Sequence, residues 1–306
     1  MSNFSSVGVV VPTRNPGALW ARWCAAVGMQ KTAVHGLIVD SSSDDRTDFT
    51  SLPEGFRCVQ IAAADFNHGG TRNLALSHLP TGTDVVVYMT QDALLADPHA
   101  LSCLVAVFDD PAVACAYGRQ LPHADATPVA AHARLFNYPD VSRTVSLDDK
   151  AHLGIKACFL SNSFAAYRVA DLQAVGGFPS SVILGEDMSV AARLLMAGKR
   201  VAYVADACVH HSHNYSALQE FSRYFDTGVF HARSPWLLQT FGSAGGEGLR
   251  FVRSELAYLW LHAPGWIPSA LVRTVAKLVG YRMGRMEAFW PQWFKRKCSM
   301  HQGFWI

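Results

Sequence analysis

Four short apolar runs, each followed by a stretch of helical character, constrain this chain more than any other feature. The runs occupy residues 7–11, 36–40, 57–62 and 84–89. They lack the polar alternation of a half-exposed strand, and continuous apolar strands are typical of parallel sheets that helices cover on both faces. The sequence therefore predicts an α/β fold whose core is a doubly wound, mostly parallel sheet.

Helix signals fill the gaps between these runs. Pro16 suits the first position of a helix over residues 15–28, another helix should follow Gly70, and a third should span residues 97–108. This alternation of strand and helix is the pattern of a doubly wound half-domain.

The pattern weakens between residues 117 and 157, where polar residues, histidines and prolines are frequent. We expect this segment to be an inserted substrate loop. Beyond it, residues 188–196 are predicted to form a helix that Gly198 closes, and residues 201–204 a further strand.

Composition narrows the functional classes. Half of the residues are hydrophobic and 16% are charged, which argues against disorder. The 26 Lys and Arg against 24 Asp and Glu leave a net charge of +2, too balanced for a nucleic-acid-binding protein. The seven cysteines form no CxxC pair, so neither a zinc ribbon nor a disulfide framework is indicated. With no signal-peptide pattern and no apolar stretch of spanning length, we expect a cytoplasmic protein with reduced thiols.

The charge of the chain changes sharply near Pro235. Residues 235–306 hold nine Lys or Arg against three Asp or Glu, and six of the eight tryptophans. Such a split predicts two domains, residues 1–234 and residues 235–306, the second being a helical, basic and Trp-rich module.

Polar residues follow the first two predicted strands. Pro12, Thr13 and Arg14 follow the first strand, and Asp40 ends the second. Ligands of open α/β sheets bind beyond the carboxyl ends of the strands, where Asp40 is placed to accept hydrogen bonds from a base or a ribose. No GxGxxG follows the first strand, which disfavours a dinucleotide dehydrogenase. Ordinary strand-end turns are the alternative interpretation.

A polar segment, residues 65–73, opens the second predicted helix. Gly69 and Gly70 allow the backbone to approach a ligand closely, and helix N-terminal N–H groups favour anions. Arg72 adds a guanidinium fork that suits phosphate, and His68 lies beside it. A helix cap with a flexible entry is the alternative.

Carboxylates occur at two other element ends. Gln91 and Asp92 follow the fourth strand, where a carboxylate can hold a divalent cation that bridges two phosphates. Glu186 and Asp187 precede an apolar helix, and an acid beside a substrate can act as a general base. Helix capping is the alternative for both sites.

His211 and His213 follow the strand over residues 201–204. Alternate residues of an extended segment face the same way, so this pair can bind one metal ion. A structural role for the histidines is equally consistent with the sequence.

Taken in order, these segments resemble the family 2 glycosyltransferases of the GT-A fold. The matching segments are VVVPTRN at 9–15, DSSS at 40–43, Asp92, GGF at 176–178 and GED at 185–187. Residues 66–73 and 212–215 are similar to bacterial rhamnosyltransferases of surface-polysaccharide synthesis. The resemblance covers about residues 5–235.

The resemblance implies a nucleotide-sugar donor, dTDP-rhamnose, and a divalent cation, Mg²⁺ or Mn²⁺. The expected donor-binding residues are Pro12, Thr13, Arg14, Asp40, His68, Gly69, Arg72, Gln91 and Asp92. Asp92 matches the last acid of the family's DxD motif, whereas Thr90 replaces the first acid. The expected metal ligands are therefore Asp92 with His211 or His213.

Asp187 matches the family's catalytic base, with Glu186 as its neighbour. An inverting transfer needs this base for the acceptor hydroxyl, and it needs charge stabilisation on the departing diphosphate, to which Arg72 is a candidate contributor. Another nucleotide sugar, or a protein that binds a nucleotide sugar without turnover, are the alternatives.

The resemblance also implies a glycan acceptor that is lipid-linked on the cytoplasmic leaflet. Residues 269–289 are predicted as a helix with Leu271, Val272 and Val275 on a broad apolar face, and aromatic and basic residues follow. Such a helix suits peripheral attachment to the inner face of an anionic membrane. The alternative is that this face packs on the catalytic domain or in a homodimer.

Overall fold

A computed structural model describes residues 6–243 and 245–305, and its described strands form a single sheet. The spatial order is β3-β2-β1-β4-β8-β6-β9-β5, with β7 added along β9. The strands are β1 (Val7–Thr13), β2 (His35–Asp40), β3 (Phe56–Gln60), β4 (Val85–Met89), β5 (Leu94–Leu95), β6 (Val113–Leu121), β7 (Arg143–Val145), β8 (Phe164–Arg168) and β9 (Arg200–His210).

The half of the sheet built from β3, β2, β1 and β4 is parallel throughout. All residues of β4 and nearly all of β1 are buried, as strands covered by helices on both faces require. The other half is mixed: β8 runs antiparallel to β4 and β6, whereas β6 and β9 are parallel. The predicted α/β fold is confirmed, with its parallel pairing concentrated in the N-terminal half.

Helices cover the sheet on both faces and continue beyond it. Their bounds are α1 (Leu19–Gly28), α2 (His68–Ser77), α3 (Ala100–Ala106), α4 (Pro128–Asn137), α5 (Lys150–Leu153), α6 (Val169–Ala174), α7 (Glu186–Met196), α8 (Ala217–Arg233), α9 (Pro235–Phe241), α10 (Glu247–His262), α11 (Ile267–Arg285) and α12 (Gln292–Cys298).

Some boundaries differ from the sequence prediction. The first helix begins at Leu19 rather than residue 15, because Asn15 adopts a left-handed conformation with φ of 47°. The third helix is shorter than predicted at both ends. The prediction of a loop over residues 117–157 is wrong, because this segment contains α4. The Thr127 side chain caps α4, and Pro128 occupies its first turn.

The helices after residue 234 pack against the rest of the chain. A Cβ atom added to Gly280 or Gly284 would collide with the carbonyl oxygens of Phe221 and Phe225 in α8, so α8 and α11 meet backbone to backbone. Near the C-terminus, the Trp305 side chain is buried in the main core cluster. The division into residues 1–234 and 235–306 stays a prediction.

Within residues 6–243 and 245–305, no helix has both the length and the apolar character that crossing a bilayer requires.

Candidate active site

A cavity of about 610 Å³ opens beyond the carboxyl end of β4, where it receives side chains from α2, α4, α7, α8 and α11. This is the size of an ordinary small-molecule site. Several predicted site residues line it: His68, Arg72, Asp92, Glu186, Asp187, His211 and His213. The fold therefore gathers segments that lie more than 140 residues apart in the chain.

The two acids Glu186 and Asp187 form the first turn of α7 on one wall of the cavity. Gly185 precedes them in the left-handed conformation, with φ of 78°, and a Cβ atom there would lie 2.7 Å from the Phe230 ring. Only glycine fits this turn without strain. The positive end of the α7 dipole favours negative charge at this position.

Glu186 and Asp187 have opposite electrostatic environments. Although burial opposes ionisation, the Arg72 guanidinium, 3.1 Å from Glu186, lowers the pKa of that carboxyl. Burial and the neighbouring Glu186 raise the pKa of Asp187 to about 7, against hydrogen bonds from the Met188 and Asn162 backbone N–H groups. One acid is thus held ionised, and the other can exchange a proton near neutral pH.

The polar segment that opens α2 fixes the wall beside these acids. Asn67 caps the helix by accepting from the Gly70 N–H at 2.8 Å, and its amide donates to the Ser180 carbonyl at 2.7 Å. Asn73 exchanges two hydrogen bonds with the Phe178 backbone, at 2.8 and 2.9 Å. The segment therefore anchors the loop that leads into α7, which accounts for its density of polar residues.

Asp92, His211 and His213 form a second cluster of side chains that line the same cavity. Each offers one ligand atom, and these atoms all lie within 4.8 Å of one another. Antiparallel pairing of β5 with β9 places Leu94 opposite His210, which brings the end of β4 to the histidines. One carboxylate and two imidazoles are a donor set that divalent cations accept, imidazole favouring a transition metal such as Mn²⁺ over Mg²⁺.

The protonation states of this cluster suit a cation. Despite the opposing effect of burial, the hydrogen bond and charge of His211 lower the pKa of Asp92. Burial, with like charge from His211, lowers the pKa of His213 to about 4. Gln120 Oε1 lies 2.9 Å from His211 Nδ1 and can accept a hydrogen bond from it. The tautomer that carries its proton on Nδ1 leaves Nε2, which lies on the Asp92 side, free to bind a cation. Both rings can then act as neutral ligands.

The other predicted donor-binding residues lie at the strand ends. Gln91 joins β1 to β4 by exchanging hydrogen bonds with the Arg14 backbone at 2.7 and 2.9 Å. Thr13 is buried at the end of β1, next to Pro12, and Asp40 is fully buried and accepts hydrogen bonds from Ser43. The nucleotide-binding role of these residues stays a prediction.

A second cavity, of about 580 Å³, lies between α1 and the ends of β6 and β9. It shares Asp92, His213 and Tyr215 with the first cavity. The two cavities therefore meet at the candidate metal cluster.

Three predicted residues have local partners that the sequence did not indicate. Gly69 allows α2 to approach the Pro179 carbonyl closely, because a Cβ atom would collide with it. Arg72 is buried and forms an ion pair with Glu186, so its positive charge is neutralised within the protein. His68 lines the cavity and has a nitrogen 3.4 Å from a ring nitrogen of His301, which the C-terminal segment supplies.

Several polar cavity residues were not anticipated from the sequence, among them Gln120, Arg134, Asn162, Arg223 and His301. Asn162 joins the two acids, since its backbone N–H donates to Asp187 and its amide to Glu186 at 3.1 Å. The Thr127-Pro128 start signal could have revealed the helix that carries Arg134. No sequence pattern marks the others, which lie far apart in the chain.

Comparison with known proteins identifies the family. Residues 85–275 match the model of "glycosyl transferase family group 2". The chain is 48% identical to the O-antigen chain rhamnosyltransferase RfbN of Salmonella typhimurium, over 98% of this chain and 96% of the relative. Identity and coverage are the same with the O-antigen chain rhamnosyltransferase WbaN of Salmonella anatum.

Among solved structures, the fold is similar to the mannosyltransferase PcManGT of Pyrobaculum calidifontis, determined in complex with GDP-Man and Mn²⁺. The TM-score is 0.55 at 18% identity, and the match covers all of this chain and 88% of the other. This likeness concerns the fold, whereas the family match and the two Salmonella relatives concern the sequence over most of its length. The chain belongs to glycosyl transferase family group 2.

Proposed function

We propose that this protein is an inverting rhamnosyltransferase that moves L-rhamnose from dTDP-rhamnose onto a glycan acceptor in polysaccharide synthesis. The choice of sugar is supported by the two O-antigen chain rhamnosyltransferases at 48% identity. The observation that carries the chemistry is a buried Asp187 with a raised pKa, in a cavity that also holds the Asp92, His211 and His213 cluster.

The proposed reaction is a single displacement at the sugar C1. The acceptor oxygen forms a bond to C1 on one face while the C1–O bond to the diphosphate breaks on the other, its electron pair passing to the leaving oxygen. Asp187 takes the acceptor proton, for which a pKa near the working pH is favourable. Glu186 stays ionised beside Arg72 and, through Asn162, holds this wall in place.

We assign a divalent cation to Asp92, His211 and His213, with Mn²⁺ preferred to Mg²⁺ by the two imidazoles. When bound, such an ion neutralises negative charge on the departing diphosphate. The hydrogen bond between Gln120 and His211, together with the contact between the His211 and His213 rings, orients these ligands without an ion.

We further propose that the acceptor is lipid-linked. We also propose that residues 235–306, called the tail below, attach the protein peripherally to a membrane. On α11, an apolar stripe made of Leu271, Val272, Val275, Leu278 and Val279 is exposed. Trp293 nearby is 64% exposed, and the exposed Arg296 and Lys297 follow it. Apolar, aromatic and basic residues together suit the interface of an anionic bilayer.

The function is tested with a panel of nucleotide sugars, measured by thermal shift and by donor hydrolysis in the presence of Mn²⁺. We expect dTDP-rhamnose to stabilise the protein, by about 2.7 kcal/mol at one hundred times its dissociation constant, and to be hydrolysed slowly. Chelation, Asp92→Ala and His211→Ala should each weaken donor binding. Stabilisation by another nucleotide sugar alone would contradict the choice of rhamnose, and saturable binding without released nucleoside diphosphate would indicate a binding protein.

A further inference from the structure

Three arginines of the catalytic cavity form no ion pair among the described residues: Arg273, whose guanidinium donates to Ser269 and to the Tyr215 carbonyl, and Arg134 and Arg223. Arg134 projects from α4 and Arg223 from α8, and among the described residues neither forms an ion pair. Arg72 in the same cavity differs, because Glu186 neutralises it. Arg134 and Arg223 therefore bring to the cavity two positive charges that no ion pair among the described residues compensates.

Each of these arginines is one side chain away from a histidine of the metal cluster. Arg134 donates to Gln120 Oε1, the same atom that lies 2.9 Å from His211 Nδ1. The Arg223 guanidinium lies 5.8 Å from the centre of the Tyr215 ring, and that ring stacks on His213 with centroids 4.9 Å apart. The two charges thus flank the cluster on separate elements.

Arg134 also retains an unused donor. Its Nε is buried and has no hydrogen-bond partner among the described residues, while an unsatisfied buried donor is costly. A guanidinium fork matches the oxygens of a phosphate group, and such pairs are stronger where water is partly excluded. The unsatisfied donor points to an anionic ligand that supplies the missing acceptor.

We propose that Arg134 and Arg223 bind the diphosphate of the nucleotide-sugar donor and stabilise the negative charge that develops on it as the sugar departs. This inference rests on the proposed function, because a diphosphate leaving group belongs to nucleotide-sugar transfer. The role that the sequence suggested for Arg72 passes to these two residues, since Arg72 is occupied by Glu186. As with other charge-stabilising donors, removing either should cost about a hundredfold in turnover.

Inorganic pyrophosphate with Mn²⁺ is a suitable probe, because it needs neither the correct base nor the correct sugar. Arg134→Gln and Arg223→Gln should each weaken its binding at least about tenfold, measured by calorimetry. Arg253→Gln, an exposed arginine of α10, is the matched control and should bind normally. Thermal unfolding of each variant checks that a loss of pyrophosphate binding does not reflect misfolding. Arg134→Lys, which keeps the positive charge, should unfold normally and retain part of the binding. Unchanged pyrophosphate binding in both glutamine variants would overturn the proposal.

Competition identifies the source of the bound anion. If the site belongs to the donor, dTDP displaces pyrophosphate from the wild-type protein. If dTDP and pyrophosphate bind together, the anion belongs to a phosphate of the acceptor and the proposal is wrong. These measurements do not depend on transfer, so failure of dTDP-rhamnose as a donor would refute the choice of dTDP-rhamnose and would leave the binding of a diphosphate by Arg134 and Arg223 to be decided by pyrophosphate alone.

Discussion

Asp187 combines two properties that oppose each other. Its burial beside Glu186 disfavours the ionised form, yet a general base must be ionised to accept a proton. We therefore expect kcat/KM to rise with pH and to level off above about 7, the pKa of this carboxyl. Asp187→Asn should lower turnover at least about a hundredfold, the usual scale for a positioned base. Near-normal turnover in this variant would remove Asp187 from the role.

The same shift has a consequence for stability. Because the pKa of Asp187 is higher in the folded protein than the ordinary aspartate value of 3.8, the folded state binds more protons between those two values. The contribution of Asp187 to the free energy of unfolding is thus largest below about pH 4 and falls as pH rises toward 7. The unfolding temperature of Asp187→Asn should decline less between pH 5 and pH 8 than that of the wild type. Parallel declines would contradict the assigned pKa.

The individual site residues show which parts of the site the sequence could predict. Glu186 and Asp187 were predictable because three adjacent residues, Gly185 included, carry both the turn and the acids. The proximity of Asp92 to the two histidines was not predictable, because it depends on the pairing of β5, a strand of two residues, with β9. The burial of Arg72 against Glu186 was equally hidden, since a sequence does not reveal which cation has already found an acid.

At the scale of elements, the sequence predicts those elements whose apolar residues follow one simple pattern along their whole length. Strands β1 and β4 are buried on both faces, and their unbroken apolar runs record it. Helix α4 packs on α10 rather than on the sheet alone, through Val129 and through a hydrogen bond between His132 Nε2 and the Ser254 hydroxyl. His132 is buried between the two helices, and a polar residue at a buried position weakens the apolar pattern of a helix. The sequence therefore predicts a loop where the structure has α4.

Helix α11 has two different faces. Its glycine side packs on α8, and its apolar stripe, as defined above, faces outward, with Val272 60% and Val275 59% exposed. Among the described residues, the stripe is therefore left uncovered by the catalytic half of the chain. Met283, which lies further along the same helix and is not part of the stripe, packs against the core. An uncovered apolar stripe beside basic residues is a candidate interaction surface.

The membrane proposal predicts that polar substitutions on this stripe abolish attachment. The intact protein should float with vesicles that contain anionic phospholipid, less at high salt, whereas a variant with Val272→Gln, Val275→Gln and Val279→Gln should stay at the bottom of the gradient. Val141→Gln, an equally exposed valine between α4 and β7, is the matched control and should float. If the intact protein stays at the bottom and the triple variant changes oligomeric state instead, the stripe is a contact between subunits.

At the scale of the whole molecule, the tail and the catalytic half share one interface and one cavity. Helix α11 supplies Arg273 and Lys277 to the cavity, and the segment after α12 supplies His301. Asp226 of α8 holds that segment by accepting from the Met300 N–H at 2.9 Å. The proposed division at residue 234 therefore separates sequences of different charge that jointly complete the site.

This joint construction predicts that both halves unfold together. Six of the eight tryptophans lie in residues 235–306, so tryptophan fluorescence follows mainly the tail, while far-ultraviolet circular dichroism follows the whole chain. We expect the two signals to change at the same temperature. Gly284→Ala should lower both transitions by several degrees, because its Cβ would collide with the Phe225 carbonyl, and overpacking costs about 1–3 kcal/mol. Gly248→Ala in α10, where the added Cβ meets open space, should cause no such loss. A tail signal that is lost first, in the wild type or in Gly284→Ala alone, would instead show that residues 1–234 and 235–306 are two separate folding units.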